Sequence, residues 1–79
     1  MFYYSDKFPQ IGVFYIRKNE ENLHNWNLFI NKKLLGSYKS PNLAAEAVYM
    51  QKTGYEPWDS LNHNPDTPYN LSEWKKVNK

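Results

Sequence analysis

Seventy-nine residues with ten Lys/Arg, eight Asp/Glu and a net charge of +2 make one small domain, and that charge is too weak to argue for nucleic acid, which usually calls for a clustered basic face, without forbidding it. The chain has no cysteine, which excludes a disulfide scaffold, a thiol nucleophile and a thiolate metal site, and its longest apolar runs fall far short of a membrane span. Seven Tyr, four Phe and three Trp supply much buried area per residue, which suits a core this small.

Residues 1–10 are an aromatic lead-in: Phe2, Tyr3, Tyr4 and Phe8 can pack or serve as an exposed anchor. Met1–Lys7 lacks the basic-then-apolar layout of a signal peptide, so a soluble, cytoplasmic protein is expected. Charge is uneven. Residues 1–40 hold six Lys/Arg against three Asp/Glu, and residues 41–79 hold four against five, so the first half is the mildly basic one.

Ile11–Arg17 is β-branched and aromatic and reads as a strand, apolar on both parities. Such a strand is either covered twice or keeps one face for a partner. Lys18–Asn22 is a polar turn. Asn25–Asn31 alternates, with Trp26, Leu28 and Ile30 on one side and Asn27, Phe29 and Asn31 on the other. Asn31-Lys32-Lys33 is a tight turn, and a third strand follows at 33–38. Short strands with short links predict a three-stranded antiparallel meander with one helix across a face, an α+β fold.

The helix is predicted over 41–53. Ser40 is a good N-cap, Pro41 suits N1, the alanines favour helix, and Gly54 is placed to end it. Ala44, Ala47, Val48 and Gln51 form the expected packing face. Residues 55–79 form a tail. Pro57, Pro65 and Pro68 exclude a long helix or an inner strand and leave an extended loop. Asn70-Leu71-Ser72-Glu73 reads as a capping box that starts a short terminal helix through Val77.

Ile11-Gly12-Val13, Trp26-Asn27-Leu28-Phe29-Ile30, Leu35-Gly36-Ser37-Tyr38-Lys39-Ser40 and Ala44-Ala45-Glu46-Ala47 resemble, in that order, the apetala/ethylene-response-factor DNA-binding domain. The resemblance spans roughly residues 11–50. It implies a three-stranded sheet packed on one helix, with the open sheet face reading the major groove through arginines and tryptophans. Carried over residue by residue, the arginine positions of the first strand fall on Ile11, Phe14 and Ile16. The acidic-then-basic pair falls on Phe29 and Asn31, Leu34 replaces a tryptophan, and Lys32 alone keeps the basic chemistry. The implied open face is therefore apolar, carrying Phe14, Ile16, Phe29 and Leu34. A patch of that size calls for cover. The cover is either the chain's own ends (Phe2, Tyr3, Tyr4 and Phe8, or Trp58, Leu61, Tyr69 and Trp74) or another molecule.

No motif for catalysis stands out. Asp59, His63 and Asp66 match no standard metal spacing, Ser60 and His63 lack an oxyanion loop, and the three glycines form no phosphate cradle. The expectation is a non-enzymatic interaction module without metal or cofactor. It makes a protein contact or a homodimer through Phe14, Ile16, Phe29 and Leu34 or through the aromatic ends. The alternative is a nucleic-acid-binding domain using Tyr15, Arg17, Lys18, Lys32, Lys33 and Lys39.

Overall fold

The computed structural model describes residues 1–61 and 70–78. Four strands follow one another up and down: β1 (Phe2–Ser5), β2 (Phe14–Lys18), β3 (Trp26–Ile30) and β4 (Lys33–Tyr38). A fifth, β5 (Lys75–Val77), returns along the outer side of β1. The sheet is antiparallel throughout, in the order β4-β3-β2-β1-β5. The expected three-stranded sheet is thus corrected to five strands. Phe2-Tyr3-Tyr4-Ser5 and Lys75-Lys76-Val77, read as lead-in and terminal helix, are its two additional members.

Turn chemistry sets the links. In the β2–β3 turn the Asn19 carboxamide oxygen accepts the Glu21 and Asn22 amides at 2.9 and 3.1 Å, and Asn22 does the same for His24 at 3.1 Å. Between β3 and β4, Asn31 adopts a left-handed φ of 52°, which asparagine tolerates. Its side chain accepts the Val13 amide at 3.0 Å, while its own amide donates to Val13 O at 2.8 Å. That side chain lies over Gly12 (φ 132°), where an added Cβ would stand 2.6 Å from Asn31 Nδ2. Gly12 is required here both by backbone conformation and by this close approach.

One helix, α1 (Pro41–Tyr49), crosses β2, β3 and β4. Ser40 caps it as expected, its hydroxyl accepting the Leu43 amide at 3.1 Å. The end differs from expectation. The helix stops four residues early, with Gln51 rather than Gly54 in the left-handed position (φ 56°). Lys52 N then donates to Ala47 O at 2.9 Å and Gln51 N to Val48 O at 3.1 Å, the paired closing bonds of a Schellman end. The Gln51 carboxamide supports this reversal by donating to Trp58 O at 2.9 Å and Leu61 O at 2.6 Å. The packing face is Ala44, Ala45 and Val48, with Ala47 half-buried.

The core lies between α1 and one side of the sheet. Phe14, Ile16, Leu28 and Ile30 point into it from β2 and β3, in register as Phe14 with Ile30 and Ile16 with Leu28. Residues from both flanks complete it. Phe8 rings Trp58 at 4.8 Å, Phe14 meets Trp58 edge-on at 5.1 Å, and Trp74 lies 6.3 Å from Phe14. Trp58 comes from a one-turn helix, α2 (Glu56–Asp59), and its Nε1 donates to Val48 O at 2.9 Å. The Asp59 carboxylate pins that turn by accepting from Thr53 N, Thr53 Oγ1 and Gly54 N at 3.1, 2.8 and 2.8 Å. The predicted capping signal at Asn70 is used, since its side chain accepts the Ser72 amide at 3.0 Å. It starts only a 3-10 turn, Leu71–Glu73, before the chain extends into β5. The outer edge of β1 takes up that extension, in the register Phe2 with Val77, Tyr3 with Lys76 and Tyr4 with Lys75. Tyr69 lies outside the described residues.

Among the described residues, no helix is long and apolar enough to cross a membrane.

Candidate functional site

Strand alternation sends every second side chain away from α1. Strand pairing then lines those residues up in two rows across the sheet. One row runs Lys75, Tyr4, Tyr15, Phe29 and Leu34 from β5 to β4. The other runs Val77, Phe2, Arg17, Asn27 and Ser37. None of these ten residues is a carboxylate. A bulge in the β3–β4 pairing, between Leu28 and Phe29, turns Leu35 towards the core while Leu34 stays outside.

This placement corrects the expected open face. Phe14 and Ile16 are both 0% exposed and belong to the core on the helix side, so neither contributes a surface. Their outward neighbours are Tyr15 and Arg17. In a strand a shift of one residue exchanges the two faces completely. β2 is apolar on both parities, so its pattern alone could not fix the choice. Phe29 and Leu34 do face outward, Phe29 half-buried and Leu34 54% exposed. Among the described residues, the ends of the chain do not cover this face. Phe8, Trp58 and Trp74 go to the core, Leu61 is 41% exposed, and β1 and β5 widen the open side with Phe2, Tyr4 and Lys75.

The outward rings are half-buried and tilted against one another: Phe2 to Tyr4 at 6.4 Å, Phe2 to Tyr15 at 6.2 Å and Tyr4 to Tyr15 at 6.4 Å. Cations lie on these rings. The Arg17 guanidinium carbon stands 4.4 Å from the Phe2 centroid and 5.3 Å from that of Tyr15, and Lys75 Nζ is 5.5 Å from Tyr4. Lys75 also meets Asp6 at 3.2 Å, an exposed pair whose attraction water largely screens. A shallow concavity of about 560 Å³ opens between Tyr15, Arg17, Phe29, Asn31 and Lys32. It offers two aromatic walls, an amide and two cations. A neighbouring hollow, on the other side of Phe29 and Arg17, sets Glu20 and Glu21 beside Arg17 and Lys18, so its charges balance, whereas the first concavity holds cations without a carboxylate.

The basic residues singled out in the sequence therefore divide. Tyr15, Arg17 and Lys32 come together around that concavity. Lys18 and Lys33 sit on the helix side of the sheet, Lys18 Nζ 5.7 Å from the Trp26 centroid and Lys33 Nζ 5.6 Å from that of Tyr55. Lys39 is exposed in the link to α1. Phe2, Tyr4 and Lys75 belong to the face but were not singled out with it. The signal for Phe2 and Tyr4 was the strand-favouring aromatic run Phe2-Tyr3-Tyr4, which marks a strand once its partner is known, whereas Lys75 was read as part of a terminal helix.

Of the imagined metal ligands, His63 and Asp66 lie outside the described residues. The Asp59 carboxylate is occupied by Thr53 and Gly54. Among the described residues, no group of three or more His, Cys, Asp or Glu side chains gathers where it could hold a metal ion. The chain matches no protein-family model, no curated protein and no solved structure among those compared.

Proposed function

We propose that this protein is a non-enzymatic nucleic-acid-binding module that works through the open face of its sheet. The carrying observation is the union, on ten outward positions without a carboxylate, of Phe2, Tyr4, Tyr15 and Phe29 with Arg17 and Lys75. Lys32 adds a further cation at the rim. Rings stack on bases, and cations displace the counterions condensed on phosphates. The reading rests on this face and not on the resemblance of residues 11–50, of whose basic positions Lys32 alone keeps its charge while Phe14 and Ile16 lie in the core.

The test is a titration of labelled single-stranded and duplex oligonucleotides at about 50 and 200 mM salt, a range over which phosphate-driven binding weakens sharply. Micromolar or tighter binding is expected at the lower salt, with a slope that falls by about one when Arg17→Gln or Lys32→Gln removes a phosphate contact. Failure of both ligands to bind at low salt overturns the proposal.

A second reading has an observation of its own. Leu34, 54% exposed beside Phe29, lies on the edge strand β4, whose outer side pairs with no strand among the described residues. Self-association or a protein contact along that edge would bury it. Sedimentation over a wide concentration range tests this, and a monomer throughout removes the self-association form.

A further inference from the structure

We infer that the nucleic acid this face fits is a single strand, laid across the β-strands along the row Tyr4, Tyr15, Phe29 with its phosphates towards Lys32 and Arg17. The inference rests on the nucleic-acid reading above and names the form of the ligand. Three features carry it.

Width is the first. Five strands spaced by about 4.8 Å span about 19 Å. The major groove of B-DNA is only about 12 Å wide and admits a helix or a narrow ribbon. A three-stranded sheet comes near that limit, but β1 and β5 take this one well past it. They also place rings, not groove-reading donors, on the added width.

Chemistry is the second. Reading a paired base needs forked donors aimed at its edge. The single guanidinium on the outward rows, Arg17, is laid against Phe2 and Tyr15 instead. What the face offers is ring surface, which stacks on unpaired bases and is hidden from bases already stacked in a duplex.

Charge complementarity gives the direction. Tyr15 and Phe29 are neighbours across β2 and β3 and wall the concavity of about 560 Å³ whose rim holds Arg17 and Lys32. The neighbouring hollow sets Glu20 and Glu21 against Arg17 and Lys18 and so has no surplus of positive charge, whereas the concavity holds two cations and no carboxylate. A base between the Tyr15 and Phe29 rings thus has its phosphate drawn to Lys32 and Arg17. Sheet faces of this kind accommodate two or three stacked bases.

The experiment compares, on the full chain and at one low salt concentration, labelled single-stranded DNA, single-stranded RNA and duplex DNA of about 12 nucleotides. Single strands are expected to bind at least about tenfold more tightly than the duplex. The DNA and RNA arms show whether a 2′-hydroxyl contributes. Tyr15→Leu and Phe29→Leu keep apolar bulk but remove the ring, and each is expected to weaken single-strand binding about tenfold, within the range for loss of one stacked base. Urea unfolding of each variant establishes that it is folded. Lys52→Gln, which removes a cation beyond the end of α1, is expected to leave binding unchanged. Duplex binding equal to or tighter than single-strand binding overturns the inference and leaves the nucleic-acid reading standing. So does native-like binding by both folded leucine variants. Absence of binding to all three ligands overturns both.

Discussion

The two sides of the sheet use the same kind of residue for opposite ends. Towards α1, Phe14, Ile16, Leu28 and Ile30 are 0–2% exposed and close-packed with Phe8, Trp58 and Trp74. Away from it, Phe2, Tyr4, Tyr15 and Phe29 are half-buried and share their surface with Arg17 and Lys75. Aromatic content by itself therefore does not distinguish a core from a contact surface. The company the rings keep does, because a cation laid on a ring remains hydrated only where water reaches it.

The sharpest break between the sides is expected from matched truncations. Phe14→Ala opens a cavity at a fully buried position and should cost about 3–5 kcal/mol, close to the whole stability of a domain this small. Phe29→Ala on the other side should cost only about 1 kcal/mol, because it removes a half-exposed cross-strand neighbour and leaves no cavity in the core. Urea unfolding midpoints at constant slope measure both. Equal costs would mean that the outward rings are structural.

Gly12→Ala comes next. It forces a side chain onto a φ of 132° and into the Asn31 carboxamide, and should cost about 2–3 kcal/mol. Thermal unfolding of the variant checks this, and an unchanged midpoint would show that Asn31 can step aside.

Within the core, Trp58→Phe and Trp74→Phe separate two similar rings. Trp58 gives its N–H to Val48 O, whereas the buried Trp74 Nε1 has no hydrogen-bond partner among the described residues. Trp58→Phe should therefore be the more destabilising by about 1 kcal/mol, the ordinary worth of such a bond. Paired denaturant curves decide the order.

The smallest effect is one of pH. Tyr38, at the margin of the core, has its pKa raised above 10.0, first by burial and second by the nearby Asp59 carboxylate. A raised folded pKa favours the protonated folded form, so its contribution is complete below pH 10 and is lost as pH climbs above that value. Tyr38→Phe should flatten the alkaline end of the stability profile and leave the neutral range unchanged.

Much of the fold was legible where local chemistry and tertiary structure agree. Ser40-Pro41 starts the helix, Asn31 turns the chain, and Trp26, Leu28 and Ile30 alternate with polar neighbours. The rest depended on partners far away in sequence. Lys75-Lys76-Val77 extends because β1 offers an edge some seventy residues earlier, which no local propensity reports. Gln51 ends α1 because its carboxamide has Trp58 and Leu61 to bind, a reason absent from its own sequence window. The candidate face was half legible. Phe29 follows from the clean alternation of β3 and Leu34 from the family resemblance, but Phe14 and Ile16 came from a strand whose two faces are equally apolar. There, only the cross-strand register can tell inside from out.

The lateness of Trp58 and Trp74 has a consequence for biosynthesis. Both pack against Phe14, yet the ribosome makes them more than forty residues after it. At the roughly 5–20 residues per second of translation, the nascent meander waits several seconds with its greasy underside unsealed. Sealing of the core is thereby deferred until both tryptophans have been made, and a translation product stalled before them should be a client for chaperones.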